Sequence, residues 1–358
     1  MTFKSIHQFL PVFAKYDAIG KTVYEIRNFL RNKGYESEIF VEKPISETSK
    51  LTKLYTEYKS TNMDLLIYHH SIGSSLASFM EKIKNPKIMF YHNITPPHFF
   101  EPYDKEIPPE LFQGIEQTKE LAKSFKFAMA ASGYNRYDLH RYGYECVLDA
   151  QYFIDLERFD SMKLDDNIKQ KYQNTTNILF VGRRVPNKKV EDLLKIFAYY
   201  KLLNPKSKLF LLGGSWSVEK YVKKIYDLRL KLNLDKDDVI ILDILSDDEL
   251  QSYFKIADIF LCMSEHEGFC IPLVESMYFH KPIIAYNSTA IPDTLGDSGV
   301  LVNHKKFDEI AKIIDLIETN KELKNKIISK QNERLKYFQE TKPSDVLEKN
   351  IEYVLLNS

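Results

Sequence analysis

Cysteine is scarce, charge is balanced, and no long apolar run occurs in this chain. Cys146, Cys262 and Cys270 are the only cysteines in 358 residues. So few, and an odd number, exclude a disulfide scaffold. Two of them lie beside strand-like runs, and all three read as reduced thiols of a cytosolic protein. Lys plus Arg equals Asp plus Glu at 50 each, which argues against a general nucleic-acid binder and leaves room for a local basic face. The opening residues Met1-Thr2-Phe3-Lys4 show no apolar leader core, and no stretch reaches membrane-spanning length. The expectation is a cytoplasmic location.

Several chemical signatures are missing as well. A dinucleotide fingerprint needs three spaced glycines, but the loop after the first strand has Gly20 alone, which disfavours a hydride-transfer enzyme. Gly213-Gly214-Ser215 is not followed by the lysine of a phosphate-cradling loop. No His/Cys cluster suggests zinc, and no Gly-x-Ser-x-Gly suggests a hydrolase elbow. Asp235-Lys236-Asp237 spells an acid-x-acid pattern but sits among charged residues before a strand, where a solvated turn is the better reading.

What is present is a repeated alternation of strand and helix signals, and 358 residues exceed the usual size of a single core. The pattern predicts strands at Ser5–Phe9, Glu38–Val41, Met63–Tyr68, Lys87–Tyr91, Phe127–Ala131 and Cys146–Leu148. A loop through Pro11, Tyr16, Asp17 and Gly20 precedes a helix from about Thr22 to Lys33. Ser132 is placed to cap a helix. A second cadence starts at Asn177–Val181 and continues through Leu209–Leu212, Val239–Leu242, Ile259–Met263 and Ile283–Tyr286. Ser246 and Glu249 have capping-box spacing. The expected fold is α/β, with two doubly wound Rossmann-like domains facing across a cleft. Residues 1–150 form the N-terminal domain, 151–176 a linker and 177–335 the C-terminal domain; 336–358 carry a final helix.

Ala257 to Tyr286 concentrates the chemistry. A strand-like run enters the turn Ser264-Glu265-His266-Glu267-Gly268-Phe269-Cys270, and Pro272 then stands where a helix begins. Such a loop falls at the carboxyl edge of a parallel sheet, where open α/β sheets take ligands. Glu267 and Glu275 bracket it, eight positions apart. Carboxylates accept from sugar hydroxyls, and backbone N–H groups near a helix start suit an anion. A solvated loop glutamate and a glutamate favoured by the helix dipole are the plain alternatives. After the first strand of the second half comes Gly182-Arg183-Arg184-Val185-Pro186-Asn187-Lys188-Lys189. Gly182 permits close backbone approach, and Arg183 with Lys188 suits a diphosphate; a solvated basic loop is the alternative. His92 ends a strand of the first half, whereas His69 and His70 read as structural. Lys119, Lys123 and Lys126 form a stripe that reads first as a solvated face and second as a contact with anionic membrane.

These residues resemble the retaining GT-B glycosyltransferases of the large family 4 (glycosyl transferases group 1). The resemblance is specific in Phe180–Lys188 and in Ala257–Met277, with its two glutamates separated by seven residues. It continues in Pro282–Ala285, Ile291–Asp293 and Gly299–Val302, and is looser at the Gly20 loop, His92–Pro96 and Ser132–Arg136. It implies that Glu267 holds donor-sugar hydroxyls and Glu275 the ribose. Arg183 and Lys188 would hold the leaving diphosphate, with Gly182 and the amides of Gly268, Phe269 and Cys270 beside them. His92 would approach the reacting sugar. Gly20 would lie near the diphosphate, with Asp17 and Asn93 on the acceptor side. No metal and no cofactor are implied beyond the nucleotide-sugar substrate, and the last helix would cross back onto the N-terminal domain. The implied activity is retaining hexosyl transfer from a nucleotide-diphosphate sugar to a glycan or lipid-linked acceptor, as in cell-surface polysaccharide synthesis. The expected location is the cytoplasm, with a peripheral contact at the inner face of the membrane as the second reading of the lysine stripe. A sugar-nucleotide epimerase or phosphorylase, or a non-catalytic binder, is the alternative. The chain departs from the family pattern at Lys189, Cys270, His280-Lys281, Asp243 and Asp293.

Overall fold

The computed structural model describes residues 3–15, 17–214, 218–243 and 245–358. Met1, Thr2, Tyr16 and Ser215, named above, lie outside the described residues. The chain divides into two compact units: 1–98, 105–154 and 341–358 in the first, 99–104 and 155–340 in the second.

The first unit is built on a parallel sheet of seven strands. They are β1 (Ser5–Leu10), β2 (Ile39–Val41), β3 (Thr52–Leu54), β4 (Asp64–His70), β5 (Lys87–Tyr91), β6 (Phe127–Ala130) and β7 (Cys146–Asp149). Their order is β3-β2-β1-β4-β5-β6-β7. β1, β4, β5 and β6 are buried along their whole length, as expected of parallel strands covered on both faces. The order reverses at β1, so the carboxyl ends of β1 and β4 flank a switch point. The core of this unit gathers Phe3, Ile6, Leu65, Ile88, Phe127 and Met129 around Leu347, Ile351 and Val354 of the last helix, Pro343–Asn357. That helix therefore belongs with the first sheet, as the resemblance implied.

Three local features differ from the sequence expectations. The first helix spans Ala18–Asn32, four residues ahead of the expected start, because the Asp17 carboxylate accepts from the Gly20 N–H at 2.6 Å and caps it. Gly20 is thus inside a helix, packed so that a Cβ would lie 1.8 Å from the Ala14 carbonyl oxygen. β3 is a short, largely exposed edge strand without apolar alternation. The expected linker contains the helix Asp166–Tyr172, capped by Asp165, with Tyr172 as its one buried residue. One buried position leaves no periodicity to detect.

The second unit carries six parallel strands: β8 (Thr176–Val181), β9 (Ser207–Leu212), β10 (Val239–Leu242), β11 (Ile259–Cys262), β12 (Ile283–Tyr286) and β13 (Val300–Val302). Their order is β10-β9-β8-β11-β12-β13. β8 runs outward through β9 and β10 on one side; the chain then returns to place β11 on the other. The switch point lies between β8 and β11, which pair in parallel through Ile178–Ile259 and Leu179–Phe260. Residues 99–104 join this unit because Tyr103 packs edge-on against Tyr221 and receives a hydrogen bond from Lys224 at 2.8 Å.

Candidate active site

The loops that leave β8 and β11 meet at the switch point of the second sheet. Backbone and side-chain bonds tie them together: the Glu265 N–H donates to the Asn187 carbonyl at 2.8 Å, and the Asn187 amide donates to the His266 carbonyl at 3.0 Å. Pro186–Lys188 forms a short turn, and Lys189 takes a left-handed backbone with φ 52° where glycine would be easier. The Lys189 ammonium pairs with Glu265 at 3.0 Å and lies over the Phe99 ring.

This geometry delivers Lys188 to Glu267, with Nζ 2.5 Å from Oε2. Both are well shielded, Lys188 at 19% side-chain exposure and Glu267 at 7%. Burial pulls the Lys188 ammonium down, and the Glu267 carboxylate more than offsets this, so its pKa is raised. Lys188 is a fixed cation. The Glu267 N–H donates to Thr289 Oγ1 at 2.9 Å, which pins the turn.

Glu275 lies on the following helix, Ile271–Tyr278, and is 5% exposed. Its carboxylate is held by Arg158 at 2.9 Å. Arg158 stands over the Phe159 ring in the stretch expected to be a linker, and nothing in the local pattern marked it. The helix opens without a side-chain cap, since Cys270 precedes it at φ 74°. Its first-turn N–H groups are of the kind that suits an anion. Phe269 is buried, and its carbonyl accepts from the Thr294 hydroxyl. Gly268 is half-buried in the turn.

The two arginines of the β8 loop part company. Arg184 is almost wholly buried, donates to the Gly213 carbonyl and pairs with Asp243. Asp243, one of the departures noted above, is therefore the partner of a structural arginine. Arg183 is exposed and makes no ion pair among the described residues. Gly182 and Gly213 let two backbones nearly touch: a Cβ at Gly213, which has φ +124°, would lie 2.5 Å from the Gly182 oxygen.

In the first unit, His92 and Asn93 follow β5 at the carboxyl edge of the sheet. His92 is buried, with both ring nitrogens engaged: Nε2 with His69 Nδ1 at 2.9 Å and Nδ1 with the Tyr152 hydroxyl at 3.0 Å. His69 Nε2 meets Gln8 Oε1 at 3.0 Å. The Gln8 amide nitrogen is committed to the Val23 carbonyl, so Gln8 only accepts from His69 and every proton in the chain is ordered. His69 carries hydrogen on Nε2, His92 on Nε2, and Tyr152 donates to His92 Nδ1. Burial keeps both histidines neutral. His69 is therefore the partner of His92, while His70 braces Gly114 and Thr118. Asn93 has φ 71°, donates to Asn135 at 2.7 Å and leaves its Oδ1 buried without a partner. Asp17 is engaged as a helix cap and Gly20 is sealed inside that helix, so neither lies in an open loop as expected. In the lysine stripe, Lys119 pairs with Glu116 at 2.6 Å and Lys126 caps the last helix at the Asn357 carbonyl. Among the described residues no helix is long and apolar enough to cross a membrane.

Comparison with known proteins bears on this geometry. Residues 161–334 match the family model described as glycosyl transferases group 1. A 41.2 kDa protein in the cps region of Klebsiella pneumoniae is 26% identical over 275 residues, 72% of this chain and 70% of that protein. The lipopolysaccharide 1,2-N-acetylglucosaminetransferase of Salmonella typhimurium is 28% identical over 141 residues, 37% of this chain and only 36% of that enzyme. Among solved structures, Anabaena HepE in complex with UDP-glucose superposes with a TM-score of 0.75 at 14% identity, over 99% of this chain and 100% of that one. The chain thus has the GT-B fold, and residues 161–334, which hold the Lys188–Glu267 pair, match the glycosyl transferases group 1 family model.

Proposed function

We propose that the protein is a glycosyltransferase that moves a hexosyl unit from a nucleotide-diphosphate sugar to a hydroxyl of a glycan or lipid-linked acceptor, with retention at the anomeric carbon. The observation that carries this reading is the shielded Lys188–Glu267 contact at the β8/β11 switch point. An ammonium held there by a carboxylate is ready to move its charge to a diphosphate, leaving Glu267 to accept from sugar hydroxyls. The complex of HepE with UDP-glucose and the name of the Salmonella relative support a nucleotide-sugar donor and a cell-surface glycan acceptor.

In the proposed reaction the bond from the anomeric carbon to the diphosphate oxygen breaks first. The diphosphate leaves with the electron pair, its growing charge met by Lys188, by Arg183 and by the N–H groups opening helix Ile271–Tyr278. These cations do the work of a metal ion, so transfer is proposed to be metal-independent. The acceptor hydroxyl then attacks the oxocarbenium-like carbon from the face the diphosphate leaves, and its proton passes to the oxygen of the departing diphosphate. Glu275, oriented by Arg158, takes the ribose. His92, neutral and held by His69 and Tyr152, is not proposed to exchange a proton. The reaction is placed in the cytoplasm, where nucleotide sugars are made.

Thermal shift against UDP-, GDP- and ADP-sugars identifies the donor, because a ligand of the native state raises the melting temperature. Lys188→Ala and Glu267→Ala are expected to lower transfer by at least about 10²-fold. Undiminished transfer by both variants defeats the assignment. An epimer formed from donor alone defeats transfer as the activity.

A further inference from the structure

The site holds more than the proposed transfer uses. Cys262 ends β11 and is buried. The loop then reverses and brings Cys270 back beside it, so that both sulfurs and a Glu267 carboxylate oxygen lie within 4.8 Å of one another. Cys262 also approaches the Ser264 hydroxyl, its Sγ lying 3.3 Å from Oγ. Cys270 occupies a left-handed backbone, φ 74° and ψ 67°, at a position where a side chain costs about 1–2 kcal/mol relative to glycine. A strained thiol kept next to a second thiol and an acid is a donor set.

We infer that Cys262, Glu267 and Cys270 form a binding site for a thiophilic divalent cation, with Zn2+ as the best match. Two thiolates and one carboxylate are a soft-leaning ligand set, and three protein ligands leave a fourth tetrahedral position open. Sulfurs on one zinc stand about 3.8 Å apart, given Zn–S bonds of about 2.3 Å, so only a small rotation of each side chain closes the site. Charge also balances: the cation releases two thiol protons, and the resulting three negative ligands face Zn2+ and the Lys188 ammonium, for a net of zero. Metal binding takes Glu267 from any sugar. Inhibition of transfer by zinc therefore rests on the function proposed above, whereas binding itself does not.

The test uses the full chain, free of metal, titrated with Co2+ in the absence of nucleotide. One equivalent is expected to give the thiolate-to-cobalt absorption of a tetrahedral site, and Zn2+ displaces it. Cys262→Ser and Cys270→Gly should each abolish it, the latter on a backbone that glycine suits, with circular dichroism showing the fold intact. Cys146→Ser, in the other unit, should leave it unchanged. No thiolate band with wild-type protein, or a band that survives Cys270→Gly, overturns the site. Cobalt bound with undiminished sugar transfer leaves the cation site standing and removes Glu267 from the donor site instead.

Discussion

Arg183 is exposed and Arg184 is almost wholly buried, although they are neighbours on one loop. Substitution should separate them. Arg183→Ala is expected to stay within about 0.5 kcal/mol of wild-type stability and to lower transfer by about 10²-fold. Arg184→Ala strands the Gly213 carbonyl and frees Asp243, and is expected to cost about 2–4 kcal/mol. Urea unfolding and transfer assays on the two proteins read these effects, and equal stability loss in both defeats the distinction. Lys281 offers a second case. Its ammonium reaches the Lys255 carbonyl at 2.9 Å, yet burial draws its pKa down to about 8 against a partial offset from Asp258. The charged form is thus disfavoured by folding. Below about pH 8 the folded chain carries that cost in full, and it fades as pH rises toward the unfolded value of about 10.5. Lys281→Met is expected to stabilise the protein by about 1 kcal/mol at neutral pH, the partial exposure of the chain limiting the gain. Denaturation at neutral pH and near pH 10 measures it, and a gain that grows with pH would contradict this account.

At the level of elements, the ordered chain Gln8–His69–His92–Tyr152 runs from β1 through β4 to the residue that follows β5 and on to a residue beyond β7. Long-range 1H–15N NMR should show His92 protonated at Nε2 and bare at Nδ1. Burial lowers His69 to about 3 and His70 to about 4, and lowers His92 as well. Stability from these neutral rings is complete above about pH 6.5 and is lost as pH falls toward the folded values, at about 1.4 kcal/mol per pH unit for each ring that the unfolded chain protonates. Urea midpoints measured downward from neutral pH should therefore drop steeply for the first unit; a flat profile refutes the neutral chain. His92 was legible in the sequence as a strand-end residue, but its partners were not, because His69 and Gln8 reach it only through β1–β4–β5 pairing. The same contrast holds elsewhere. The β8 and β11 loops were readable because Gly182, Lys188, Glu267 and Pro272 state their chemistry within a few positions of a strand end. Arg158 with Glu275, and Arg184 with Asp243, are 117 and 59 positions apart, and no local pattern reports such a pairing. Gly20 was misplaced for the opposite reason, since the Asp17 cap moved a whole turn of loop into the helix.

For the whole molecule, the consequential feature is that the chain leaves the first unit at Ile154 and returns to it at Thr341. The returning helix is part of that unit's core rather than an appendage. Leu347, Ile351 and Val354 are buried against β1, β4, β5 and β6, and Asn350 donates to the Asp149 carbonyl at 2.7 Å. Lys33 pairs with Glu348 at 2.7 Å. Burying three aliphatic side chains is worth about 5–9 kcal/mol, comparable with the entire stability of an ordinary domain. Truncation after Glu340 is therefore expected to unfold the first unit. The second unit should survive, because its sheet and the Lys188, Glu267 and Glu275 side chains lie within 155–340. Limited proteolysis with mass spectrometry should find cleavage throughout 1–98 and 105–154 and protection of 155–340, while the donor that stabilises the full chain still raises the remaining thermal transition. Ile351→Ala, at about 2–4 kcal/mol, should produce the same order of events in milder form. A truncated chain whose β1–β7 amides keep full hydrogen-exchange protection would show that the helix only decorates the first sheet. Loss of donor stabilisation with 155–340 still folded would instead show that nucleotide-sugar binding needs residues of the first unit.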